Sequence, residues 1–292
     1  MIKPFLRGSV IGRWSSDWAD QWMIVLPSSN DRAWPWAELG DGAEAEFQAR
    51  YPSLHRHLKP LEDRLRKRQD KGRFWWELRS CAYWDAFEKP RIVYQEIQFH
   101  PSYSLDTAGR FGNNKTFFLS TDDLFLLAVL NSPLMWWHNW RYLPHMKDEA
   151  LSPVAFKMEE LPIAEPTAAV RDATGEAVQR LIDISICQQR TRRNLLDWLR
   201  VEYGIEKASN ALQAICELEC DELVTEVKRV RGKKQPLTAA GLRGLRDEYT
   251  RTVEPARARA AEALKLECAV SDLVNQAYRS EERRVGKECR SR

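Results

Sequence analysis

Between Arg56 and Arg73 the segment RHLKPLEDRLRKRQDKGR carries eight lysines and arginines against three acids, a local net charge of +5 in a chain of formal net charge +3. Cationic side chains at that density neutralise phosphates, the sequence-independent part of DNA affinity. Leu58, Leu61 and Leu65 recur at helical spacing, so one face of a basic helix can pack while Lys59, Arg66, Lys67 and Lys71 point elsewhere and Arg73 ends the run. The same pattern also describes a solvated helix face whose acids partly compensate the charge. A second polar set, Arg91, Arg110, Asn113, Asn114 and Lys115, flanks apolar segments. Arginine reads guanine and asparagine reads adenine in the major groove. Gly112-Asn113-Asn114 is equally ordinary turn chemistry. The asparagines are therefore read as turn residues first, with Asn114 kept among the candidate DNA contacts beside Arg91, Arg110 and Lys115.

Other chemistries find little purchase. His138 and His145 lack acidic or cysteine partners at metal spacing, and Cys216 and Cys220 share a helix face with no further ligand nearby. No two prolines are adjacent, and the thirteen glycines never form a dinucleotide or phosphate-loop arrangement. The expectation is a chain with no catalytic, cofactor-binding or metal-binding residues of its own. The six cysteines have no paired spacing in a chain of 292 residues, which reads as reduced thiols.

The elements that must position the polar sets lie mostly between Glu88 and Ile163. Arg91–Gln98 and Thr116–Ser120 have the composition and length of strands, with Asp106 to Gly109 as turn material between them, so a hairpin or near neighbour of one is expected. Thr121 offers a helix cap, followed by Asp122, Asp123 and leucines at 124, 127 and 130; Ser132-Pro133 should break that helix and start another through Trp140. Trp22 to Pro27 is a further strand candidate, and Tyr83, Trp84 and Phe87 suit one face of a short helix. Eleven of the twelve tryptophans precede residue 141, which favours core filling over wedging into DNA.

From 167 to 278 the composition is helix-forming. Thr167 is a cap, one long helix runs through Tyr203 to a stop at Gly204, a second region spans 207–231 with a division near Asp221, Thr238 caps a further helix, and Pro255 restarts another. No heptad is sustained, so helices that fold back on one another are expected rather than a parallel coiled coil. Lys228, Arg229, Arg231, Lys233 and Lys234 form a second basic cluster, of a kind common at helix C-termini. No apolar run approaches the length of a membrane span and the N-terminus lacks a leader, so a cytoplasmic location is expected. Residues 279–292, RSEERRVGKECRSR, resemble the translation of a sequencing-library adapter, and the natural chain is expected to end near Tyr278. That tail's six basic and three acidic residues account for the whole formal excess, so the overall charge is no argument for DNA binding.

The serial order IKPFLRG, YPSLHRHLKPLEDRLRKRQDKGRFWWEL, EKPRIVYQEI, FGNNKTFFL, DDLFLLAVLNSPLMWW and FKMEELPI resembles the TaqI-like C-terminal specificity domain over residues 1 to about 165. That module recognises target DNA for adenine-specific methyltransferases and for type IIG restriction enzymes. The resemblance implies an α+β fold in which a mixed target-recognition domain (1–165) precedes an all-helical spacer of antiparallel helices (167–278) similar to those of type I specificity subunits. It implies double-stranded DNA as partner. It also implies a parent enzyme whose methyltransferase domain precedes this chain and binds S-adenosylmethionine, with magnesium if the parent also cleaves. The family's glycine-rich cofactor turn and Asn/Asp-Pro-Pro-Tyr/Phe motif do not occur here. The competing class is a helical protein-interaction scaffold without DNA specificity.

Overall fold

The computed structural model describes residues 1–232 and 236–288, with side chains through 279. The chain is an α+β protein containing two small three-stranded sheets and several helices. In chain order the elements are β1 (Ile2–Leu6), β2 (Trp22–Ile24), α1 (Ala43–Arg50), α2 (Pro52–Leu58), α3 (Glu62–Arg66), β3 (Arg91–Gln95), β4 (Tyr103–Asp106), β5 (Phe111–Gly112), β6 (Thr116–Leu119), α4 (Leu124–Asn131), α5 (Pro133–Tyr142), α6 (Ala155–Met158), α7 (Ala168–Tyr203), α8 (Asn210–Gln213), α9 (Cys220–Arg231), α10 (Ala239–Glu248) and α11 (Glu254–Glu288).

β3 is the central strand of one sheet, antiparallel to β4 on one side and β6 on the other. The hairpin expectation therefore needs refining. β3 and β6 do pair, but the intervening β4 takes the opposite edge, and Asp106 ends that strand instead of opening a simple turn. Tyr94 lies opposite Tyr103 and Phe117, with ring centroids 5.4 and 5.7 Å away, so an aromatic row crosses all three strands. The predicted strand to Gln98 stops at Gln95, because Gln98 bridges Leu151 instead. The second sheet joins β1 antiparallel to β2 and parallel to β5. At Gly112 in β5 a Cβ would meet the Thr116 side chain at 2.7 Å, so the close turn into β6 requires glycine.

Pro60 divides the basic segment. Proline has no N–H for an intrahelical bond, and the single helix read from the leucine spacing is α2, a 3-10 turn over Lys59–Leu61, and α3. Asp123, rather than Thr121, caps α4, its Oδ1 accepting from the N–H groups of Phe125 at 2.8 Å and Leu126 at 3.2 Å; Thr121 instead accepts from Asp123. Ser132 and Pro133 separate α4 from α5, with Ser132 Oγ accepting from Met135 N–H at 3.1 Å.

Thr167 caps α7, and Gly204 ends it in the left-handed conformation. α7 and α11 run antiparallel: Gln188 reaches the Ala256 carbonyl, and Arg180 meets Glu262 at 2.7 Å farther along. A π turn over Tyr249–Val253 joins α10 to α11. The half of α7 beyond Leu195 packs with α8, α9 and α10 around Leu199, Leu212, Leu223, Val227 and Leu245. Its first half does something different. Val170, Val178 and Leu181, with Val270 and Val274 of α11, complete one continuous core with Ile92, Tyr94 and Tyr103 of the sheet and Phe125 and Leu127 of α4. The change of composition near 165 marks a helix start and not an edge of the core.

A strap over Arg13 to Asp17 reinforces this junction. Trp14 adopts φ 73°, unusual for a bulky residue; its indole N–H donates to Glu267 Oε1 at 2.7 Å while Arg13 bonds Glu267 Oε2 at 2.9 Å. Ser15 shares a hydrogen bond with Ser185, and Asp17 pairs with Arg192. No helix among the described residues is long and apolar enough to cross a membrane.

Candidate nucleic-acid interface

The predicted contact residues fall into three structural situations. Arg91 is 1% exposed. Its guanidinium pairs with the fully buried Asp106 at 3.0 Å, donates to the carbonyls of Phe87 and Arg110, and lies between the rings of Phe87 and Phe118. Burial pushes its pKa down, the Asp106 charge pushes it up, and nearby Arg110 lowers it. The expectation that Arg91 reads a base is corrected by this placement, since no base edge reaches a guanidinium enclosed by its own chain. Arg110 Nη1 bonds Asp106 Oδ1 at 2.9 Å, and Asp106 also accepts from the N–H groups of Ala108 and Arg110. One carboxylate thus ties off the β4 turn through both arginines, and Arg110 serves that clamp first.

In the basic segment, Lys59 pairs with Glu44 and Glu62, Arg66 pairs with Glu62 at 2.6 Å, and Arg73 lies 3.4 Å from Glu38. Glu44 is held to about 2: burial alone raises its pKa, but hydrogen bonds from Lys59, His55 and Trp75 overcome that effect. Among the described residues Lys71 donates only to the Arg66 carbonyl, at 2.9 Å. Lys67 is exposed and has no hydrogen-bond or ion-pair partner among the described residues, a property shared with Arg56 and Arg64, which the leucine pattern did not single out. Lys59 and Arg66 stand three and four residues from Glu62 and pair with it, the spacing at which opposite charges meet on a helix.

The third situation is the turn between β5 and β6. Asn113 Oδ1 accepts from Lys115 N–H at 3.1 Å, so Asn113 builds the turn. Lys115 pairs with Glu96. Asn114 is exposed and has no hydrogen-bond partner among the described residues. On one side the turn borders a polar groove of about 520 Å3 containing Arg7, Gln95 and Glu96. On the other it borders a groove of about 830 Å3 whose walls include Tyr83, Trp84, Phe87 and Phe118, with Asp70 and Arg79 at its edge. The end of the basic segment and the Asn114 turn therefore meet at one groove although 44 residues separate Asp70 from Asn114 in sequence. Tyr83, Trp84 and Phe87 sit on a short helix, the 3-10 segment Trp84–Glu88 with Tyr83 as its cap residue; the Tyr83 and Trp84 rings each lie 6.0 Å from that of Phe87, and Phe87 stacks on Phe111 at 4.9 Å.

In the second basic cluster Arg229 pairs with Glu226 and Arg231 lies over the Tyr203 ring at 5.8 Å, while Lys233 and Lys234 lie outside the described residues. The tail is helical in backbone through Glu288, and residues 289–292, including Cys289, lie outside the described residues. Among the described residues no group of three or more histidine, cysteine, aspartate or glutamate side chains can hold a metal ion.

A domain of unknown function (DUF8810) matches residues 167–274. The match begins at the Thr167 cap and spans the helical part of the chain. No curated protein matches the sequence.

Proposed function

We propose that the chain is a sequence-specific DNA-recognition module, the reading part of an adenine-N6-specific methyltransferase of the type IIG kind, with residues 167–278 as a helical spacer of fixed length. The observation that carries this reading is the β5–β6 turn. It presents an Asn114 amide with no hydrogen-bond partner among the described residues at the 830 Å3 groove, whose edge also holds Asp70 from the end of the basic segment. An amide of that kind bonds a base edge in pairs, while unpaired cations such as Arg64 and Lys67 supply the phosphate attraction that sets register. Methyl transfer, S-adenosylmethionine and any magnesium belong to the catalytic domain of the parent enzyme.

The test is fluorescence anisotropy with a random duplex between 50 and 200 mM salt. Affinity is expected to fall steeply with salt, and the triple variant Arg64→Glu, Lys67→Glu, Lys71→Glu is expected to weaken binding to all duplexes alike and to lower the salt slope by about one for each phosphate no longer neutralised. Salt-independent binding, or an unchanged slope in the variant, counts against the reading.

One observation supports the scaffold alternative. The outer face of α5 exposes Trp137, Trp140 and Tyr142, with the Arg141 guanidinium 3.8 Å from the centre of the Trp137 ring. Exposed aromatics with arginine are typical anchors of protein contacts. If this face alone carries the function, no duplex is bound at either salt concentration.

A further inference from the structure

We propose that the aromatic groove beside the β5–β6 turn receives a single unstacked nucleobase of a DNA strand, stacked on Tyr83 and read at its edge by Asn114. This inference rests on the DNA-reading proposal and adds a ligand class to one part of it. The groove, about 830 Å3, has the size of a small-molecule site, yet its wall is a ladder of rings. Tyr83 stacks near Phe87 at 6.0 Å and 28°, and Phe87 on Phe111 at 4.9 Å and 12°. Tyr83 is the outer ring of that ladder and is 52% exposed.

A duplex hides the faces of its bases and shows only their edges in the grooves. A wall of aromatic rings ending in an exposed tyrosine matches the hidden surface, the π face, which becomes available when a base leaves the stack. The rim supplies the rest. Among the described residues Asn114's two donors and its acceptor meet no partner, matching the complementary edge of a base, and Asn113 fixes the turn that carries it. Arg79 stands at the same groove, its one ion pair among the described residues a 3.8 Å contact to Asp70, which leaves a cation at the mouth for the strand's phosphates. An apolar peptide would use the rings but leave Asn114 and Arg79 without counterparts.

The experiment compares two duplexes of identical sequence, one fully paired and one with a single bulged 2-aminopurine, by anisotropy and by 2-aminopurine fluorescence. The bulged duplex is expected to bind about tenfold more tightly, within the range one base stacked on an aromatic ring supplies, and its fluorescence to be quenched on binding. Tyr83→Ala should remove the preference, read as the ratio of the two affinities; Tyr83→Phe should retain it, and Asn114→Ala should reduce it severalfold without abolishing the quenching. Equal binding of both duplexes by the unaltered chain, or a preference that survives Tyr83→Ala, overturns the assignment while leaving the DNA-reading proposal in place. Failure to bind the paired duplex at low salt brings down that proposal and this inference together.

Discussion

Asp106 holds two guanidinium groups from a position with no access to solvent, and the arrangement anchors the turn that follows β4. Removing a carboxylate from such a site strands Arg91 as an uncompensated buried charge. Asp106→Ala is expected to lose about 3–5 kcal/mol of stability in urea unfolding. The paired replacement Arg91→Met with Asp106→Leu should cost less, because it removes both charges together. A second residue-scale prediction concerns acid. Glu44 titrates at about 2 in the folded chain against 4.5 for an unperturbed glutamate, so its stabilising contribution is fully present above about 4.5 and is lost as pH falls toward 2. Glu44→Gln should therefore be less stable than the unaltered chain at pH 7 and converge with it as pH drops through that window. Thermal melting at several pH values reads this out, and parallel curves would show that the cluster of Glu44, Lys59, His55 and Trp75 contributes nothing to folding.

At the scale of elements, the α4–α5 junction depends on one hydroxyl. Ser132 Oγ accepts from Met135 N–H and donates to the Val129 carbonyl at 2.7 Å, capping one helix while closing the other. Ser132→Ala is expected to cost about 1 kcal/mol, measured by chemical denaturation. Features of this kind were legible in the sequence because they are local: Ser132-Pro133, Thr167, Gly204 and Thr238 each act within four residues. Strand partners were not. β1 pairs in parallel with β5 across more than a hundred residues, and nothing in IKPFL names Phe111 as its neighbour. Residue roles failed to be legible for the same reason. Arg91 looks like a base reader beside a strand until Asp106, fifteen residues on, is placed opposite it in register. Asn114 differs from Asn113 only through a hydrogen bond that the folded turn makes possible. The leucine spacing pointed to Lys67 but not to Arg56 or Arg64, because it follows the packed face and carries no information on which cations pair.

For the whole molecule, the core that crosses residue 165 has a direct consequence for dissection. A chain cut after 165 exposes the faces of Ile92, Tyr94, Phe125 and Leu127 that Val170, Val178, Leu181 and Val274 cover. Such a fragment is expected to lose cooperative unfolding and to bind hydrophobic dyes, whereas a folded, cooperative fragment would show that the helices are dispensable to the sheet. The strap at Trp14 makes the same junction stiff. Holding a tryptophan at φ 73° costs of order 1–3 kcal/mol, offset by the indole and guanidinium bonds to Glu267 and by the pairs along α7. The antiparallel pair of α7 and α11 is tied by this strap to the segment that follows β1, and β1 pairs with β5 beside the turn at Asn114; under the DNA-reading proposal, whatever holds those helices also sets the angle of the groove.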